Sequence, residues 1–406
     1  MSSRDVAVTG LGIVSPAGIG VAASWDRVCA GQPTAQTDPL LAGCPVDISC
    51  RVPAFTPDRI LGPRRARRLD RFVQLTVVAA LEAVADSGLD VGSWDGARVG
   101  VVLGCADGGP GTVEDQHRIL LAEGPNQVSP LLLPRQLPNM MAGQVSIELG
   151  ATGPSLVVAT ACASGASAIG LARDLLLLDR CDVVVTGGGE AMVTPLVMAG
   201  FAQMGALSRR CDDPSTASRP FDSARDGFVA GEGAGVLVLE RIADAQARRA
   251  PVRARIAGFG ASADAYHVTA PDPHGRGAEA AVRSALTDAE IAPTEVEHVN
   301  AHGSATPLND LVEAQMLHRV IGSGALVTST KGVTGHLFGA AGAVETAFTV
   351  LAVEQGLVPP TANLDEPDSQ LEIEVAQKAT PLRIDLALST SLGFGGQNAA
   401  VLVGRA

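Results

Sequence analysis

Short apolar runs closed by glycine recur along the whole chain, and they constrain its fold more than any other feature. In the first half they are VAVTGLG (6–12), RVGVVLG (98–104), SLVVATA (155–161), DVVVTGGG (182–189) and GVLVLE (235–240). In the second half they are VRARIAGFG (252–260), EHVNAHG (297–303), ALVTSTKG (325–332), LALST (386–390) and AAVLVG (399–404). Runs this short and this uniformly apolar read as strands covered on both faces. Between them, RFVQLTVVAALEAVADSG (71–88), AEAAVRSALTDAEI (278–291) and LVEAQMLHRVIG (311–322) space their apolar residues at helical intervals. Strands alternating with helices predict an α/β protein with largely buried sheets.

The two halves echo each other. In the first, a strand leads into ACASGASAIGLARDLLLL; in the second, a strand leads into GHLFGAAGAVETAFTVLAV. Each segment is a small-residue helix that follows a reactive side chain, Cys162 or His336. Two similar halves, 1–250 and 251–406, would bring both side chains to one centre. The boundary falls near ADAQARRAP, which separates two strands.

Composition narrows the function. The formal net charge of −13 argues against general nucleic-acid binding, which needs a basic surface. The seven cysteines are Cys29, Cys44, Cys50, Cys105, Cys162, Cys181 and Cys211. An odd number with no C-x-x-C pair predicts neither a disulfide framework nor a zinc site. The segment 150–172 carries no charge, yet Gly, Pro, Ser and Thr interrupt it, so no membrane span is expected. MSSRDVAVTGLG lacks an apolar signal core, which predicts a protein of the reducing cytoplasm.

Cys162 sits in VATACASGASAIG, where an apolar strand gives way to a helix. At a helix N-terminus the dipole and free N–H groups favour thiolate over thiol. Its small neighbours leave room for a substrate. HVNAHGSATPLND (298–310) places His302 after a strand, in a loop of small residues. STKGVTGHLFGAAG (329–342) places Lys331 in a loop and His336 at the head of a helix. A nucleophilic cysteine with two histidines suits acyl transfer from thioesters. His117, His274 and His318 have no comparable setting and are expected at the surface. SLGFGGQNAAVLV (391–403) adds a glycine turn whose N–H groups can approach a ligand closely. RPFDSARDGFVAGEGAG (219–235) reads as a structural lead-in to a strand. TGLGIVSPAG (9–18) begins like a dinucleotide-binding turn, but the third glycine is missing and Pro16 stands where the helix should start.

Taken together, TACASG, NAHGSATPLND, STKGVTGH with GAAGAVE, RPFD with GEGAG, and GFGGQNA resemble the elongating β-ketoacyl-acyl carrier protein synthases. The resemblance runs in order over essentially the whole chain. It implies a thiolase-type fold of two pseudo-duplicated halves in a five-layered αβαβα core, and an obligate dimer. It implies decarboxylative Claisen condensation of a Cys162-bound acyl chain with a malonyl carrier, without metal or redox cofactor. His302 and His336 would promote decarboxylation and stabilise the enolate. Lys331 would support the field around His336, with Glu345 nearby. The N–H groups of Cys162 and Phe394 would form the oxyanion hole, and Phe394 would gate the acyl pocket. Ser304 and Thr306 would bind the phosphopantetheine arm. An acidic acyl carrier protein would dock on local basic patches: Arg64, Arg65, Arg67 and Arg68 in one, Arg209 and Arg210 in the other.

Departures from the family pattern are Ser304 for the usual Thr, Ala305 for Gly or Ser, Gly332 for Ser, and Gln397 for Thr or His. The sharpest is Asp107 in VVLGCADGG, where the fatty-acid enzymes carry an apolar residue near the floor of the acyl pocket. A carboxylate beside an alkyl chain is costly. This leans the reading toward polyketide or specialised acyl assembly, with housekeeping fatty-acid elongation by a homodimer as the alternative. In the polyketide case the partner would resemble a chain-length factor that lacks the cysteine. A non-catalytic scaffold is disfavoured because Cys162, His302, Lys331 and His336 are all present. A degradative thiolase needs a second cysteine near the C-terminus, and the last one here is Cys211.

Overall fold

The computed structural model describes residues 5–406. Ten main strands are β1 (Val6–Ser15), β2 (Val99–Gly104), β3 (Ser155–Val158), β4 (Val183–Glu190), β5 (Gly233–Arg241), β6 (Ala254–Ala263), β7 (His298–Asn300), β8 (Leu326–Thr328), β9 (Leu386–Gly393) and β10 (Gln397–Gly404). The helices that matter here are α1 (Arg71–Ser87), α2 (Met140–Leu149), α3 (Ser164–Leu177), α4 (Pro195–Gln203), α5 (Arg276–Ala289), α6 (Pro307–Ile321) and α7 (Ala341–Gln355).

The strands of the first half lie in the order β3-β2-β4-β5-β1 and those of the second in the order β8-β7-β9-β10-β6. Within each half the rule is the same: third, second, fourth, fifth, first. The senses agree as well. β2 is parallel to β3 and β4, and β7 is parallel to β8 and β9. The remaining pairs, β4 with β5, β5 with β1, β9 with β10 and β10 with β6, are antiparallel. The two sheets touch where Val6–Val8 of β1 pair with Ala254–Ile256 of β6.

Helices cover the sheets in layers. α1 and α2 lie on the outer face of the first sheet, and α5 and α6 lie on the outer face of the second. α3 and α7 are sandwiched between the sheets and touch both. The architecture is therefore αβαβα, as the resemblance implied. Every residue of α7 from Ala341 to Val353 is buried. A helix apolar nearly all round belongs in such a central layer.

The small residues around Cys162 and His336 follow from this layer. A Cβ added at Gly165 would lie 2.7 Å from Ala343 N, and one at Gly342 would lie 2.9 Å from Ala166 N. α3 and α7 thus cross in near backbone contact, and larger side chains there would force the sheets apart.

Candidate active site

Cys162 lies in a single turn of 3-10 helix, Ala161–Ala163, between β3 and α3. Ala161 holds a left-handed φ of 48°, which swings the chain sharply from strand to helix. The N–H of Cys162 falls in the first turn, where no intrahelical acceptor exists. The end of β9 comes alongside: a Cβ at Gly393 would lie 3.2 Å from Cys162 N. The next residue, Phe394, directs its backbone N–H to Cys162 Sγ. The two expected oxyanion donors, on Cys162 and Phe394, thus belong to chain segments that meet at the sulfur.

His336 arrives from the other half. Its backbone is pinned on both sides: its N–H donates to Val229 O at 2.8 Å, and its carbonyl accepts from Gly231 N at 2.8 Å. Its Nε2 stands 3.1 Å from Cys162 Sγ. The His302 ring lies edge-on to His336, centroids 5.2 Å apart. Both imidazoles are buried.

The charges decide the protonation states. Burial, then the Lys331 charge, pushes His336 well below its ordinary value. Burial, Lys331 and His336 do the same to His302. Both rings are therefore neutral near pH 7. Burial also pushes the Cys162 thiol up to about 11, against the opposing pull of Lys331 and the Phe394 N–H. Burial thus opposes the helix N-terminus that was expected to favour thiolate, and the balance for Cys162 lies on the thiol side.

Lys331 sits against His302, and its charge also reaches His336, around which the resemblance had placed its influence. Its Nζ donates to His302 O at 2.6 Å, approaches His302 Nδ1 at 3.4 Å and pairs with Glu345 Oε1. An ammonium only donates, so Nδ1 accepts and the imidazole proton of His302 sits on Nε2. Lys331 and Glu345 are both almost fully buried. Burial pushes the Glu345 carboxyl up to about 7, with Lys331 opposing.

Two carboxylates that the sequence reading missed hold the His302 loop. Glu313 accepts from His302 N at 2.8 Å and from Gly303 N at 2.7 Å. Asp310 accepts from Ala305 N at 3.2 Å and from Phe221 N at 2.8 Å. Both lie on α6, one helical turn apart, directly behind the loop. Two acidic residues at that spacing after a glycine loop were the available signal.

A cavity of about 480 Å³ opens onto the nucleophile. One arm, lined by Ser304, Thr306, Asn309 and Thr269, is polar; the other, lined by Ala106, Met192, Phe201 and Phe338, is apolar. Ser304 Oγ and Thr306 Oγ1 are 2.9 Å apart. Phe394 lines the cavity, and its ring lies 6.2 Å from Phe201.

Asp107 departs from expectation. It is exposed on this chain, and Ala106 lines the cavity in its place. Behind Ala106 lies Glu190, fully buried, which accepts from Ala106 N at 2.6 Å. Burial pushes Glu190 up to about 7, and Asp107 adds to that shift.

The arginines divide. Arg209 and Arg210 follow Met204–Ala206, which line the cavity mouth. Arg210 Nη2 donates to Ala224 O at 2.9 Å, while Arg209 is exposed. Arg64, Arg67 and Arg68 are exposed at the corner before α1, and Arg65 is tied to Glu148 of α2. His117 and His274 are exposed and His318 is partly so. His298, not singled out from the sequence, is fully buried in β7.

Residues 3–245 match the family Beta-ketoacyl synthase, N-terminal domain, and residues 253–365 match Beta-ketoacyl synthase, C-terminal domain. The chain belongs to the beta-ketoacyl synthase family: it is a ketosynthase, an acyltransferase that condenses acyl chains. Among its relatives, 3-oxoacyl-[acyl-carrier-protein] synthase 2 of Coxiella burnetii is 41% identical, over 100% of this chain and 99% of its own. The solved structure of the ishigamide ketosynthase/chain length factor is similar with a TM-score of 0.93 and 31% identity, covering 100% of each chain. A type II PKS ketosynthase bound to the hexaketide, in complex with its acyl-carrier protein, is similar with a TM-score of 0.90 and 30% identity, covering 99% of each chain.

Proposed function

We propose that this ketosynthase elongates carrier-bound acyl chains by two carbons, with Cys162 as nucleophile, in type II polyketide or specialised acyl assembly. The observation that carries the catalytic assignment is the 3.1 Å approach of His336 Nε2 to Cys162 Sγ, with neutral His302 beside it.

In the first step Cys162 Sγ attacks the thioester carbonyl of the incoming acyl chain and its proton passes to His336 Nε2. The carbonyl oxygen gathers charge between the N–H groups of Cys162 and Phe394. Collapse expels the pantetheine thiolate, which takes the proton back from His336. In the second step a malonyl carrier occupies the polar arm, with Ser304 and Thr306 against its pantetheine. Loss of carbon dioxide leaves the bonding pair on an enolate. Its oxygen faces His302 Nε2–H, and Lys331 lies behind that ring. In the third step the enolate carbon attacks the Cys162 thioester, the sulfur leaves, and it regains a proton from solvent. Every step balances without a metal or redox cofactor.

The carrier is acidic in this proposal, and Arg209 and Arg210 at the cavity mouth, with Arg64, Arg67 and Arg68, steer it. β3 ends the first sheet as an open edge carrying Leu156, 43% exposed, and the neighbouring Ile147 of α2 is 74% exposed. An apolar open edge calls for cover by a second subunit, either this chain or a chain-length-factor-like partner. Two solved ketosynthases similar to this chain are described with a chain length factor or with an acyl-carrier protein. A cytoplasmic location belongs to the same reading; among the described residues no helix is long and apolar enough to cross a membrane.

A second reading, fatty-acid elongation by a homodimer, is favoured by the 41% identity to 3-oxoacyl-[acyl-carrier-protein] synthase 2. The placement of Asp107 off the cavity wall also removes one ground for the polyketide lean. The test is to express the chain alone and beside a ketosynthase-like partner and to follow carrier masses after addition of acyl and malonyl carriers. Two-carbon elongation only with the partner supports the first reading; elongation by the lone homodimer supports the second. Equal product from a Cys162→Ala variant overturns both.

A further inference from the structure

The apolar arm of the cavity is closed by a residue whose backbone conformation is unusual for its side chain. Phe338 has φ 50°, in the left-handed region that disfavours any side chain beyond glycine. It stands four residues before Gly342, the glycine of the close helix crossing. Ala161 holds the corresponding place in the first half, four residues before Gly165, with φ 48°. The duplication thus sets two strained residues facing the same cavity, and both line it. In the first half the side chain is a methyl group beside the nucleophile. In the second it is a whole phenyl ring.

That ring is held from several sides. It stacks on Phe201 with centroids 5.3 Å apart and planes 18° from parallel. It meets Phe228 edge-on at 5.8 Å and His336 at 5.1 Å. Three of the chain's nine phenylalanines therefore form one wall, and Phe394 extends it through Phe201.

What lies behind the wall determines which way the arm can lengthen. Behind Ala106 is the buried Glu190 carboxyl, and an alkyl chain pushed past Ala106 would strip that group of its hydrogen bonds. Phe338 itself packs in a buried apolar cluster that also includes Leu41, Ile48, Cys50, Met198 and Leu207. Met192 belongs to this cluster and also lines the cavity, and methionine repacks readily.

We propose that Phe338 is the residue that limits acyl-chain length, its ring barring the apolar arm from the rest of that cluster. The proposal rests on the reading of Cys162 as the acyl-bearing nucleophile.

The experiment loads the full-length enzyme, as the homodimer or with whichever partner subunit elongation requires, with a ladder of saturated acyl thioesters from butanoyl to hexadecanoyl and reads the acyl-Cys162 mass. It compares wild type, Phe338→Leu and Phe338→Ala. Wild type is expected to load short chains and to fall off sharply at a limiting length. Phe338→Leu is expected to move the limit upward, raising the loading of a chain two carbons past it by about tenfold, as burial of two further methylenes implies. Phe338→Ala is expected to move it further. The leucine variant keeps an apolar filler, so a misfolded alanine variant leaves the test intact. Two soluble variants that load short chains with an unchanged limit overturn the proposal. Wild type that loads no chain of any length overturns the reading of Cys162, and the length limit falls with it.

Discussion

Lys331 Nζ reaches the carbonyl oxygen of His302 at 2.6 Å while its third contact is the Glu345 carboxylate from the central helix α7. One ammonium therefore does three things. It fixes the His302 loop, chooses the tautomer of the imidazole, and neutralises the one acidic side chain within the buried run Ala341–Val353. The catalytic field and the packing of the central layer share a single ion pair.

Removing one partner of that pair should be far worse than removing both. Glu345→Ala leaves the Lys331 ammonium buried without its counter-charge, at an expected cost of about 3–5 kcal/mol. The double variant Lys331→Met, Glu345→Leu should recover much of that stability and still fail to decarboxylate a malonyl carrier. Urea unfolding of the three proteins checks this. A single-variant cost below about 1 kcal/mol would place the pair with ordinary surface bridges.

Glu313 is a positioning residue acting through His302. In Glu313→Gln the amide oxygen can accept from one of the two N–H groups at residues 302 and 303, and its NH2 then faces the other donor. His302 N keeps a second acceptor, Thr390 Oγ1 at 3.1 Å, so the expected loss is about 1 kcal/mol of stability, the worth of one hydrogen bond. Malonyl decarboxylation should slow more than acyl loading onto Cys162, because the proposed mechanism sets His302 toward the enolate while His336 stands at Cys162. Equal slowing of both half-reactions would mean the variant acts by general loosening.

The strands and the four candidate site side chains were legible because each leaves a local mark. Apolar runs ending in glycine give the strands, and small-residue runs after Cys162 and beside His336 give the close-packed central helices. What stayed hidden depends on direction or distance. Ala106 and Asp107 lie in a bend beyond the end of β2, so strand alternation could not tell which of them faces the cavity. The thiol state of Cys162 depends on how completely the other half covers it, which no local dipole argument contains. The aromatic wall joins Phe201, Phe228 and Phe338 from three separate segments, and only the packed fold brings them together.

Alkylation tests the thiol assignment directly. With the Cys162 thiol pushed up to about 11, its reaction with iodoacetamide should keep rising through pH 9 and level off only near 11. Lys331 pulls this thiol down, so Lys331→Met should push the inflection higher still. His336→Ala should slow acyl loading by about 10²–10⁴-fold, the usual worth of a positioned general base. Alkylation that levels off near pH 7 would instead mean a resting thiolate paired with a protonated imidazole.

His298 makes the protein sensitive to acid from a position outside the proposed chemistry. The side chain is fully buried in β7, its Nδ1 is 2.8 Å from Leu326 O, and its Nε2 has no hydrogen-bond partner among the described residues. Burial pushes it down from 6.5 to about 4. The unfolded chain therefore takes up this proton first as the pH falls, so folding stability from this group is intact above 6.5 and drains away between there and about 4. The full drop corresponds to about 3 kcal/mol. Glu190 and Glu345, both raised to about 7, titrate in the opposite sense over part of the same window, so wild type alone does not isolate the effect. The difference between wild type and His298→Asn does. In the variant Asn Nδ2 takes the place of His Nδ1 toward Leu326 O and does not titrate, so it should gain on wild type by about 3 kcal/mol as the pH falls from neutral to 4. Urea unfolding at a series of pH values measures that difference, and a flat difference would show that His298 takes up its proton without unfolding.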